Sequence, residues 1–78
     1  MSYKSMLQEV CQKNMYKMPV YDTINVGYIR ESNIILWRTK LVVFEKLYET
    51  NDNFKNKKDA ENHIAYIAYF YFENRCQK

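Results

Sequence analysis

One proline, Pro19, and one glycine, Gly27, are all the backbone punctuation this chain carries. With so few breakers, its 78 residues, 47% hydrophobic and 27% charged, leave no room for a second core or a long linker. Residues 1-78 are therefore expected to form a single domain. A chain this short buries only about 60% of the surface its unfolded form exposes, so it folds around every large apolar residue or leans on a partner.

Pro19 sets the first boundary. Residues 3 to 15 place Leu7, Val10, Cys11 and Met15 at helical spacing, with Ser5, Gln8, Glu9 and Gln12 on another face. This predicts an amphipathic helix ending before Met18, because the residue preceding a proline is pushed out of helical geometry. From Val20 to Val26 the β-branched and aromatic content predicts a strand, and Gly27 opens a polar loop from Tyr28 to Asn33. The stretch Ile34 to Tyr48 is β-branched and poorly periodic at 3.6, which predicts two strands turning near Arg38 to Lys40, with Glu45 and Lys46 as the alternative turn. Asparagines and an aspartate in residues 51 to 56 predict a loop ending in Asn56 as an N-cap. After it, Ala60, Ile64, Ala68 and Phe72, flanked by Ile67 and Tyr71, predict a helix to about residue 74. The expected fold class is α+β: α-β-β-β-α, with two helices packed on one face of a three-stranded antiparallel sheet.

Twelve Lys and Arg against nine Asp and Glu give a net charge of +3, so anion binding depends on where the cations sit. No apolar run approaches the ~18 residues of a membrane span, and the N-terminus lacks a signal-peptide core. A cytoplasmic protein without a membrane partner is the expectation. Cys11 and Cys76, with His63, lack zinc-site spacing and are expected as reduced buried thiols. His63 has no nucleophile motif near it and reads as a surface or half-buried helix residue. Trp37 and Phe44 read as sheet core. No catalytic residue, metal, cofactor or small-molecule substrate is expected, and the chain reads as a non-enzyme.

In order and spacing, several motifs resemble those of the double-stranded RNA-binding domain family. Ser5-Met6-Leu7-Gln8-Glu9 looks like the family's first-helix signature Leu-(Asn/Gln)-Glu, and Pro19-Val20-Tyr21 follows at the expected distance. Lys57-Lys58-Asp59-Ala60 is similar to the Lys-Lys-x-Ala that begins the family's second helix. The likeness covers nearly the whole chain. There are departures: Gly27-Tyr28-Ile29-Arg30 stands where the family carries a Gly-Pro-x-His type motif, and Glu61 stands where it has a third lysine. The family's glycines before the lysines are absent, and Leu41 to Asn56 is longer than usual.

The resemblance implies double-stranded RNA as the partner, recognised by shape, since an A-form duplex displays 2'-hydroxyls across a shallow groove and hides its base edges. Ser5, Gln8, Glu9 and Gln12 would meet one minor groove, where a carboxylate accepts from 2'-hydroxyls that DNA lacks; a merely solvated helix face is the other reading. Tyr28 and Arg30 would probe a second groove, or form a plain polar connection. Lys57 and Lys58, with Lys55, occupy a first helical turn, where the macrodipole disfavours cations; a docked phosphate reverses that misfit. Two solvated lysines offset by Asp59 and Glu61 are the alternative.

Tyr66, Tyr69, Phe70, Tyr71 and Phe72 put aromatic rings almost all round the final helix. This points to a homodimer or protein partner at Tyr66, Tyr69 and Phe70, unless a small core wraps the rings. Two functions follow from different classes. One is a stand-alone duplex-RNA binder that sequesters RNA from cellular sensors, as small viral members do, or a fragment of an RNA-processing enzyme. The other is a degenerate domain mediating protein association.

Overall fold

The computed structural model describes residues 2–76, with side chains to residue 74. Its elements run α1 (Tyr3–Lys13), β1 (Val20–Ile29), β2 (Ile34–Val43), β3 (Lys46–Tyr48) and α2 (Lys57–Cys76). The strands form one antiparallel sheet in the order β1-β2-β3. Both helices lie on one face of it, α2 against the strands and α1 against α2. This is the expected α-β-β-β-α architecture.

Helix α1 starts at Ser2, whose Oγ accepts from the Ser5 N–H at 3.2 Å. It stops two residues earlier than its apolar spacing suggests. Met15 adopts φ 60°, while the Tyr16 N–H donates to the Cys11 carbonyl and the Met15 N–H to Gln12. These two bonds close a Schellman motif with methionine where glycine is preferred. Met15, expected on the apolar face, is 92% exposed in consequence.

Strand β1 runs through Gly27 to Ile29 and does not yield to a loop at Gly27. Asn25 pairs with Trp37 and Gly27 with Leu36, so Val26 is an extra residue in a β-bulge. The turn is confined to Arg30–Asn33, where Asn33 takes φ 54°.

No turn occurs at Arg38 to Lys40. Those charges alternate with inward residues: Thr39, Leu41 and Val43 are buried, and Lys40 and Val42 are exposed. A period of two in a strand covered on one face accounts for the interleaved charges. The chain reverses instead at Phe44 and Glu45, both with positive φ (57° and 58°), in a two-residue hairpin loop one residue before the alternative turn at Glu45 and Lys46. Such a loop favours Asn-Gly. Phe44 is held there because its ring stacks on Phe72 at 4.5 Å and meets Tyr16 edge-on at 5.0 Å.

The long connection after β3 is pinned to the sheet. Phe54 exchanges two backbone bonds with Trp37, at 2.7 and 2.8 Å, and the Arg38 guanidinium donates to the Asn53 side chain and the Asn51 carbonyl. Asn56 caps α2 as expected. Its Oδ1 accepts from the Asp59 N–H at 2.8 Å while its Nδ2 donates back to the Asp59 carboxylate.

Leu7 and Cys11 of α1, Leu41 and Val43 of β2, Tyr48 of β3, and Ile64, Ala65 and Ala68 of α2 form the core. The alanines let the helices approach closely. Cys11 is a free buried thiol, whereas the side chain of Cys76 lies outside the described residues. Trp37 is only half-buried, and Phe44 packs on the core from the hairpin loop rather than from a strand. Among the described residues no helix is long and apolar enough to cross a membrane, and no cluster of three or more His, Cys, Asp or Glu can hold a metal ion.

Candidate nucleic-acid interface

One hydrogen bond and one ion pair fix α1 beside the start of α2. The Tyr3 N–H donates to Asn62 Oδ1 at 2.8 Å, and Lys4 Nζ pairs with the Glu61 carboxylate at 2.5 Å. The other Glu61 oxygen accepts from the Thr23 hydroxyl at 2.7 Å, and Thr23 lies 3.1 Å from buried Thr39. Burial alone would raise the Glu61 carboxyl. The hydrogen bonds from Lys4 and Thr23 and the charges of Lys4 and Lys57 instead hold it below the usual carboxylate value. Lys4 Nζ also stands 4.9 Å from the Tyr21 ring centroid. Burial and the Glu61 charge push the Tyr21 phenol up to about 12, and its buried hydroxyl has no hydrogen-bond partner among the described residues.

Glu61 therefore faces inward as a tie between α1, β1 and α2, its charge met by Lys4. Neither Lys4 nor Asn62 stands out in sequence.

The fixed helices enclose a groove of about 490 Å³ lined by Ser2, Lys4, Ser5 and Gln8 of α1 and Lys58, Asp59 and Asn62 of α2. Ser5 and Gln8 thus share one surface with Lys58. Glu9, one helical turn beyond Ser5, lines a second concavity with Lys13, Tyr69 and Glu73. Gln12 is exposed on α1 outside both grooves.

Lys57 points the other way, its Nζ 4.7 Å over the Trp37 ring. Lys55 and Lys58 are exposed and make no ion pair among the described residues. Trp37 lies three residues into β2, so the β1–β2 tip stands about 10 Å further along the strand at ~3.3 Å per residue. The tip carries Arg30, exposed, and Tyr28, 55% exposed and hydrogen-bonded through its hydroxyl to Asn33. The order along this end of the molecule is the α1 groove, Lys58, Lys57 over Trp37, then Arg30 and Tyr28.

Of the three rings expected at a partner interface, Phe70 is 54% and Tyr66 39% exposed. Tyr69 is turned inward, half-buried against the core and 6.4 Å from Tyr3. His63 is half-buried, 3.2 Å from the Asp52 carboxylate.

A family model described as the double-stranded RNA binding motif matches residues 3–70. The chain belongs to this family. Double-stranded RNA-binding protein 1 of Oryza sativa subsp. japonica is 33% identical over 75 residues, a span covering 96% of this chain and 16% of that protein. The chain thus corresponds to a small part of that relative's length. The structure of Arabidopsis HYL1 superposes with a TM-score of 0.79 at 30% identity, covering 91% of this chain and 96% of that one. The second such domain of DRB4 follows at 0.71 and 28%, covering 95% and 99%.

Proposed function

We propose that the chain binds double-stranded RNA by its A-form shape, without reading sequence. The observation that carries this is the continuous order of Ser5 and Gln8, Lys58, Lys57 and the Arg30 tip along one end of the fold. An A-form duplex presents hydroxyl-lined minor grooves separated by phosphates across the major groove. In this reading Ser5 and Gln8 meet 2'-hydroxyls in one minor groove, with Glu9 and Gln12 at its margin. Lys58, Lys57 and Lys55 meet the intervening phosphates, and Arg30 and Tyr28 reach the next groove. The test is binding of a fluorescent duplex RNA of about 16 to 20 base pairs, against matched DNA, at two salt concentrations. RNA-selective, salt-sensitive binding supports the proposal, and indifference to both polymers at low salt sinks it.

The exposure of Phe70 favours a second reading, in which the outer face of α2 meets another protein or a second copy of the chain. Sedimentation across a concentration series, with Phe70→Ser as control, separates it from RNA binding. Such association is nearly indifferent to salt.

A further inference from the structure

The α1–α2 groove does not end at Lys58. Asp59 and Asn62, which line it, also line an adjoining concavity of about 410 Å³ whose other walls are Tyr3, Phe54, His63 and Tyr66. The rings come in two pairs. Tyr3 meets Tyr66 edge to face at 4.7 Å, and Phe54 lies 5.0 Å from His63 at 45°. Asn62 Oδ1 is occupied by the Tyr3 N–H, while its amino group has no partner among the described residues. His63 is braced by Asp52, and Phe54 by its two backbone bonds to Trp37. The pocket is thus an open concavity walled by two pairs of rings, with an amide donor at its seam with the groove.

Such a pocket suits a flat heteroaromatic ring with hydrogen-bonding edges. Paired bases in an A-form duplex are stacked out of reach, but an unpaired nucleotide swings free and stacks on aromatic side chains. We propose that this pocket takes one unpaired nucleobase, at a bulge or overhang, of an RNA whose duplex portion lies in the adjoining groove. The proposal rests on the duplex-RNA reading above and narrows it to duplexes carrying an unpaired base. Lys58, lining the shared groove, is placed for the phosphates leading to that nucleotide.

The test uses duplexes of about 20 base pairs that are blunt, carry a single-nucleotide bulge, or carry a single-nucleotide 3' overhang. The unpaired position holds either 2-aminopurine or an abasic residue. The expected result is quenching of the 2-aminopurine fluorescence. The base-bearing form of at least one duplex should bind about 5- to 150-fold more tightly than its abasic form, the range for one stacked base. Tyr66→Leu, which keeps apolar bulk but removes the π face, should erase that ratio and leave blunt-duplex affinity unchanged. Because Tyr66 also packs on Tyr3, the wild-type base-to-abasic ratio is decisive on its own. Equal affinities with blunt binding intact overturn the pocket and spare the duplex reading; no binding to any duplex overturns both.

Discussion

At the scale of single residues, Glu61 decides how the helices are held. A carboxyl whose folded pKa is depressed stabilises the fold above its unfolded value, about 4.3, and that contribution is lost as pH falls through the folded value. Glu61→Gln should therefore cost about 1 to 2 kcal/mol at pH 7 and flatten the loss of stability between neutral and acid pH, read by urea melts across that range. Glu61→Lys restores the lysine of the family pattern yet places it beside Lys4. It should destabilise more than the glutamine; equal stability would show that Lys4 has another partner. The lysines behave differently. Replacing Lys57 and Lys58 together with Ala should lower duplex-RNA affinity and shrink the slope of log affinity against log salt by roughly two, at about 0.7 to 0.9 per phosphate contact. Circular dichroism should stay unchanged apart from the small loss of the Lys57–Trp37 contact. An unaltered slope counts against phosphate contacts at both positions.

At the scale of elements, the two reversals that hold left-handed backbone without Asn or Gly, at Met15 and at Phe44–Glu45, are the weak points of the fold. Glu45→Gly supplies a glycine at φ 58° in the two-residue loop, and Met15→Gly does so at the end of α1. Each should stabilise by about 1 kcal/mol in thermal melts, since a side chain at a left-handed position costs roughly that much. Phe44→Gly should destabilise, because the stack on Phe72 is lost with the ring. The opposite order would mean that backbone strain and not packing governs this turn. These positions also show where sequence reading stops. Asn56 announces its cap through local chemistry, and Ala60, Ile64 and Ala68 their face through spacing; both are legible in one dimension. The turn at Phe44 and Glu45 has no turn residue and is imposed by rings from α1's exit and α2. Arg38 to Lys40 mimics a turn because outward charges interrupt an apolar run that is in fact one strand.

At the scale of the molecule, element order and family were legible because they rest on motifs in sequence: Leu7-Gln8-Glu9, Pro19 and Lys57-Lys58. For the candidate site, sequence names residues but not how folding arranges them. Spacing grouped Ser5 and Gln8 on α1, and packing against α2 brings Lys58 to line the same groove. Glu61 read as a departure from the family's third lysine and a charge offsetting Lys57 and Lys58, because its partner Lys4 is distant in sequence and adjacent only after folding. The resulting elongated body, 47 × 20 × 18 Å, aligns its candidate contacts along one end, and duplex binding depends on that alignment. It is tested most directly by the affinity of the chain for a duplex RNA of about 16 to 20 base pairs and for the same sequence as duplex DNA, each at low and at physiological salt. Binding to RNA well above DNA, with a steep loss as salt rises, is the expected result. Equal affinity for both polymers, or affinity that salt does not change, would contradict it.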